Sequence, residues 1–180
     1  AQAARAPLLL FIDDDVEPSP GVLRAHVRYH ETRARAVGAG DLAPHPLDPG
    51  FIGQAIAGWW ERMCDDLYDP RHRFTFRDFL TGHCSLSLAL FREVGGFDEA
   101  LRCHEDFEFG YRAIQAGVSF GFVQGARAVH HDATRLPGIL ARKLEEGRAD
   151  IQLTGRHPAL LRALPLGRPL APGELARRVF

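Results

Sequence analysis

The chain has 180 residues, of which 46% are hydrophobic and 25% charged, and a formal net charge of -1. Those values describe one globular domain with a core of ordinary size and exclude a disordered or fibrous chain. With 22 Lys+Arg against 23 Asp+Glu, there is no basic excess to argue for nucleic acid as a partner.

Leu8 to Ile12 is a continuous apolar run, the pattern of a strand covered on both faces in a parallel sheet, and it stops at Asp13-Asp14-Asp15. Ser19 and Pro20 then form a helix start, with Leu23, Val27, His30, Ala34 and Val37 at helical spacing and Gly38 as the stop. A strand, an acidic turn and a helix make an α/β unit with carboxylates at the strand's C-terminal edge, where open α/β sheets bind ligands. Gly40 to Gly53 reads as a loop, Gln54 to Tyr68 as a helix and Asp69 to Asp78 as irregular. Leu86, Leu88 and Leu90 alternate with small residues, which predicts a strand over Cys84 to Leu90. A helix beginning near Glu105 and closed by Gly117 follows the turn at Gly95-Gly96-Phe97-Asp98-Glu99. Val118 to Phe122 predicts another strand, Ala126 to Val129 runs into His130-His131, and Leu136 to Leu153 reads as an amphipathic helix. From His157 the chain holds four of its 12 prolines, so residues 1–156 are expected to form the domain and 157–180 a Pro-rich tail.

Cys64, Cys84 and Cys103 form no C-x-x-C pair, which argues against a disulfide framework and for a reducing, cytoplasmic setting. A peripheral contact at the inner face of a membrane stays open, but no apolar run approaches the roughly 18 residues of a transmembrane segment.

Three constellations point to chemistry. On an extended segment Asp13 and Asp15 project to the same side, roughly 6.5–7 Å apart. Two like charges at that range repel by about 2.5 kcal/mol at an effective dielectric of 20. A hard divalent cation, Mg2+ or Mn2+, shared with a diphosphate would relieve that repulsion; a solvated acidic turn is the plainer alternative. Glu105 and Asp106 open a helix, whose dipole keeps carboxylates ionised as a general base requires, although acids at helix starts are also commonplace. His130, directly after its strand, is either a hydrogen-bonded rim residue or a further metal ligand, ahead of His131 in that role. Trp59 and Trp60 serve packing or a sugar-stacking platform, and Thr81-Gly82 allows backbone to approach a ligand or simply makes a turn.

In order and spacing these residues resemble the family-two inverting glycosyltransferases of GT-A fold. The matching pieces are the apolar strand ending in Asp13-Asp14-Asp15, the turn Gly95-Gly96-Phe97-Asp98-Glu99, the pair Glu105-Asp106 and Val129-His130-His131. The segment Thr81-Gly82-His83-Cys84-Ser85-Leu86 is similar to the family's acceptor strand. The resemblance implies a mixed sheet flanked by helices and transfer of a sugar from a nucleotide-sugar donor to a hydroxyl with inversion. The acceptor would be a glycan, a lipid-linked molecule or a small molecule. It further implies that Asp13, Asp14 and Asp15 face the donor, with a metal on Asp15, Asp13 and His130. Asp106 would be the base beside Glu105, and Thr81, Gly82, His83, Trp59 and Trp60 would line the substrate.

The family's N-terminal nucleotide-binding strands have no counterpart, and Ala3-Ala4-Arg5-Ala6 resembles their end, so the chain is expected to be the acceptor half of a longer domain. Arg142 to Arg148 stands where processive synthases carry Q-x-x-R-W, which implies a non-processive transferase. Two rivals remain. One is a haloacid-dehalogenase-type phosphatase using Asp13 and Asp15, which needs a downstream lysine and acidic pair that the single Lys143 does not supply. The other is a non-catalytic glycosyltransferase-derived module.

Overall fold

The computed structural model describes residues 3–165. In chain order its elements are β1 (Leu8–Ile12), β2 (Val16–Pro18), α1 (Val22–Glu31), β3 (Ala36–Ala39), β4 (Ala43–Pro44), α2 (Phe51–Tyr68), β5 (His83–Ser87), α3 (Leu88–Val94), α4 (Glu105–Gln115), β6 (Ser119–Phe122), β7 (Ala128–His130) and α5 (Leu136–Arg156). Short 3-10 turns occupy Phe76–Asp78 and Pro158–Arg162. The result is mixed α/β, with two mixed sheets flanked by helices. A four-stranded sheet runs β1-β5-β3-β6 and a three-stranded one β2-β7-β4. Among the described residues no helix is long and apolar enough to cross a membrane.

The apolar run of β1 is buried on both faces, as its composition predicts. Leu9 packs with Phe79, Phe91 and Phe109 beneath α3 and α4, while Leu10 packs with Val22, Tyr29 and Val123 beneath α1. Its pairing differs from the parallel expectation, because the neighbour is β5 and antiparallel, with Ile12 opposite His83. Only β3 and β6 are parallel in this sheet.

Three boundaries also differ from the sequence reading. First, α1 begins after Gly21 (φ 93°), not at Ser19, and ends at Glu31, so Val37 and Gly38 belong to β3. Helical spacing ran on across the junction, but Gly38 is a tertiary requirement: a Cβ there would meet Val123 Cγ2 at 2.5 Å and Tyr29 Cδ1 at 3.0 Å. Second, Leu88 and Leu90 lie in α3 rather than β5. Ser87 Oγ accepts the Leu90 N–H at 3.1 Å and caps the helix, while Gly95 (φ 102°) ends it. Third, the segment from His157 opens with a 3-10 turn whose Leu160, like Leu164 after it, is buried against Phe76 and Leu153. The remainder of the expected tail, 166–180, lies outside the described residues.

A polar network is enclosed between α1 and the sheet. His83 Nδ1 lies 2.8 Å from the Asp41 carbonyl, His26 Nε2 lies 3.1 Å from His83 Nε2, and Ser85 Oγ lies 2.7 Å from His26 Nδ1 and 2.8 Å from His30 Nε2. A carbonyl only accepts, so His83 donates from Nδ1 and, when neutral, accepts at Nε2. His26 must then donate from Nε2 and accept at Nδ1 from the Ser85 hydroxyl, which in turn accepts from His30 Nε2. One proton arrangement satisfies His83, His26 and Ser85 together, while His30, neutral, then has no proton left for the Arg33 carbonyl 3.4 Å from its Nδ1; a proton added to His26 or His83 breaks the arrangement. Burial accordingly lowers His26 to about 3 and also lowers His30 and His83.

The unfolded chain binds protons at these histidines near pH 6.5, whereas the folded His26 does not until about 3. Their stabilising contribution is therefore complete above pH 6.5 and lost as pH falls towards 3. Urea unfolding between pH 7 and 4 should show stability falling with a slope of up to roughly 1.4 kcal/mol per pH unit for each such histidine. A His26→Asn variant, less stable at pH 7, should have a visibly shallower slope.

Candidate active site

The C-terminal end of β1 carries the acidic run. Asp13 N–H donates to the Gly82 carbonyl at 3.2 Å and Val16 N–H to the Asp13 carbonyl at 3.2 Å, so Asp14 and Asp15 occupy the centre of a turn. The extended geometry assumed from the sequence is thus replaced by a reversal that sends the chain from one sheet to the other. The charges still crowd. Burial raises the Asp13 carboxyl above its ordinary value, and Asp15 and Asp14 add to the rise against the opposing pull of His130 and Arg142.

Gly82 is buried and takes part through its backbone. A Cβ at this position would stand 3.0 Å from Asp13 Oδ2, so the missing side chain is what admits the Asp13 carboxylate. Thr81 beside it is half-buried. His83, one residue on, has its ring turned into the enclosed network and is 1% exposed, so it has no surface for a substrate.

The second sheet delivers His130 to the same turn. β7 pairs with β2 so that His130 lies opposite Val16, and His130 Nε2 stands 3.3 Å from Asp15 Oδ2. His130 Nδ1 is buried without a hydrogen-bond partner, and Trp60 meets the ring edge-on at 4.7 Å. His131 faces away, with Nε2 2.9 Å from Glu17 Oε2. Trp60 packs with Val16, Leu42, Cys64 and Ala128, whereas Trp59 is 51% exposed beside it. Of the two, Trp60 positions His130 and Trp59 is free to meet a ligand.

α4 brings Glu105 and Asp106. Its N-cap, His104, has φ 58°, a left-handed conformation that costs a non-glycine residue of order 1 kcal/mol. The ring is held there by stacking on Phe107 and by an ion-pair contact of 3.0 Å between its Nδ1 and the buried Asp150 of α5. Asp106 Oδ1 accepts the Phe107 N–H at 2.7 Å. Burial, with Glu105 adding to it, pushes the Asp106 carboxyl up to about 6. The small residues on its helix face do not make room for a substrate: Gly110 lies under the turn at Phe76–Asp78, where a Cβ would meet the Phe76 carbonyl oxygen at 2.6 Å, and Ala113 is fully buried.

Cys84 joins the two acidic regions. Its thiol, fully buried on β5, is driven well above its ordinary value by burial and then by the charges of Asp106 and Asp13. Both carboxylates therefore lie within electrostatic reach of one side chain. Nothing local in the sequence marks Cys84 for this place; the register that sets it opposite Phe11, one residue short of the strand end, does. Arg142 on α5 was likewise passed over, although it acts on Asp13 and on Cys103.

Asp15 and His130 offer an oxygen and a nitrogen donor suited to a hard divalent cation. Among the described residues no three His, Cys, Asp or Glu side chains converge into a ready-made metal cluster. Such a donor set fits Mg2+ or Mn2+ held by one or two protein groups, with water and phosphate oxygens completing the shell.

No protein-family profile matches the chain. Over 67 residues it is 37% identical to the pre-mycofactocin glycosyltransferase of Mycobacterium tuberculosis, in strain CDC 1551 / Oshkosh and in strain ATCC 25618 / H37Rv alike. The match takes in 37% of this chain and spans 14% of the length of those relatives.

Asp106 is protonated more readily in the folded chain than in the unfolded one. Its burial is therefore tolerated below pH 3.8, and stability is lost as pH rises through about 6. Asp106→Asn keeps the acceptor for the Phe107 N–H and removes the charge. The variant should match wild type near pH 4 and melt at a higher temperature at pH 7.5. Equal melting temperatures at pH 7.5 would mean that Asp106 is not desolvated as described. The likeness is thus to part of a glycosyltransferase and is confined to those 67 residues.

Proposed function

We propose that this chain carries the metal-binding and acceptor-activating residues of an inverting glycosyltransferase of family two and GT-A fold, acting non-processively on a nucleotide-sugar donor. The observation that carries the reading is that Asp13, at the end of β1, and Asp106, in the first turn of α4, both act electrostatically on the buried Cys84 of β5. The mixed sheets and the partial match to a glycosyltransferase support it at a coarser level.

Asp15 and His130, with Asp13 assisting, would hold Mg2+ or Mn2+. When bound, the cation supplies positive charge to a departing diphosphate. Asp106 accepts the proton of the acceptor hydroxyl as that oxygen attacks the anomeric carbon, and the bond to the nucleoside diphosphate breaks on the opposite face. A carboxylate pushed up to about 6 is ionised at neutral pH yet more basic than a solvated one, which suits a general base. Glu105 is adjacent on the helix, about 100° round, and is left to orient a neighbour or accept a sugar hydroxyl. Trp59 and the backbone at Thr81-Gly82 are the remaining candidates for contact with the sugar.

Two measurements on the intact protein test this. Mn2+ with a nucleoside diphosphate should raise the melting temperature by roughly 5 to 10 °C at a hundredfold excess over Kd. Asp15→Ala and His130→Ala should each abolish most of that rise, while His131→Ala should not. An unchanged response in Asp15→Ala removes the metal assignment.

Asp106→Asn should lower kcat by about 10² to 10⁴ with donor binding intact, the usual worth of a general base. In wild type, kcat/KM should rise with pH through about 6. Full turnover in Asp106→Asn would overturn the assignment of the base.

A further inference from the structure

The sheet edge that ends in Asp13 continues past it. By register Ile12 lies opposite His83, Cys84 opposite Ala39, and Ala39 opposite Phe122, so the C-terminal ends of β1, β3 and β6 share one edge. Three strand spacings put the end of β6 about 14 Å from that of β1. At this far end is a cavity of about 440 Å³, between the C-terminus of α2 and the turn from β6 to β7. Its volume suits a small ligand.

The walls combine aromatic surface with a guanidinium, that of Arg127. Tyr68 and Phe122 meet edge-on at 4.7 Å, Tyr68 is half exposed, and Phe74 packs against His72 at 4.9 Å. Most charge around the cavity is already matched. Asp69 binds Arg71, His72 Nε2 lies 3.1 Å from Asp78, and the Asp41 carboxylate accepts from the Tyr68 hydroxyl at 2.6 Å. Arg127 lines the cavity and is exposed, and among the described residues no carboxylate stands within ion-pair distance of it. An unmatched guanidinium beside aromatic faces selects a ring that carries an anion, since the planar fork binds carboxylate or phosphate bidentately and the aromatic faces take the apolar side of a sugar.

We infer that this cavity binds the remote end of the acceptor, a sugar ring bearing a carboxylate or a phosphate, with Arg127 as the anion's partner. The inference rests on the glycosyltransferase reading for the word acceptor. The distance from Asp13 excludes the reacting hydroxyl itself and suits a non-reacting part of the substrate, whose binding energy can be used to orient the reacting end.

Binding of 4-nitrophenyl glucuronide, glucose 6-phosphate and the uncharged 4-nitrophenyl glucoside, measured by calorimetry on the intact protein, tests the site apart from any turnover. Wild type should bind at least one charged ring about tenfold or more tightly than the glucoside, the worth of one charge-assisted contact. Which of the two binds better identifies the anion. Arg127→Ala should abolish the preference, Arg127→Lys should keep part of it, and Asp106→Asn should leave it intact. Equal binding of charged and neutral rings by wild type, or a preference that survives Arg127→Ala, overturns the inference. Loss of the transferase reading appears elsewhere, as unaltered turnover in Asp106→Asn, and so the two failures are distinguishable.

Discussion

The buried carboxylate of Glu108 fixes the geometry on which the candidate site depends. It is 3% exposed, and such a group is strongly destabilising unless it is paired and hydrogen-bonded. Arg112 supplies Nε at 2.8 Å and Nη2 at 2.7 Å, and His157 Nε2 lies at 2.8 Å. Burial pushes the Glu108 carboxyl up, but these partners outweigh it and hold it below its ordinary value. The same guanidinium donates onward to the Val94 and Gly96 carbonyls. One ion pair thus ties α4 to the glycine turn before it and to the segment after α5. Asp106 lies two residues earlier on that helix, so its placement follows from a side chain that never faces the site.

The contact of His104 with Asp150 is a second tie between α4 and α5. It acts at the N-cap, where the left-handed His104 aims the first turn of the helix. Together the two ties hold α4 at its first turn and at its middle against α5 and the residues on either side of it.

Local patterns account for much of the fold. The apolar run before three acids, the acid pair at a helix start and the strand ending in His130 are patterns of composition, and each stands where its period puts it. What stayed hidden depends on chain segments far apart. Gly38 looks like a helix stop, but its real neighbours are Val123 and Tyr29. Gly110 looks like space for a ligand until the Phe76 carbonyl fills it. Leu88 and Leu90 fit a strand by alternation, and only the cap made by Ser87 turns them into a helix. The turn at Asp14 and Asp15 is legible as an acidic turn, but its destination is not, because it passes the chain to a second sheet whose other strands come much later.

The two acidic regions carry opposite requirements on one sheet edge. Around Asp13 the neighbouring Asp15 and Asp14 add to burial in raising its carboxyl, and a cation bound there would favour its ionised form. Around Asp106 burial is the larger effect, and charge repulsion from Glu105 only adds to it. A cation placed there would lower the carboxyl and weaken it as a base. Cys84, fully buried on β5, is the side chain on which the charges of both regions act. Both carboxylates act on that one thiol, and the cause that leads at each of them is burial.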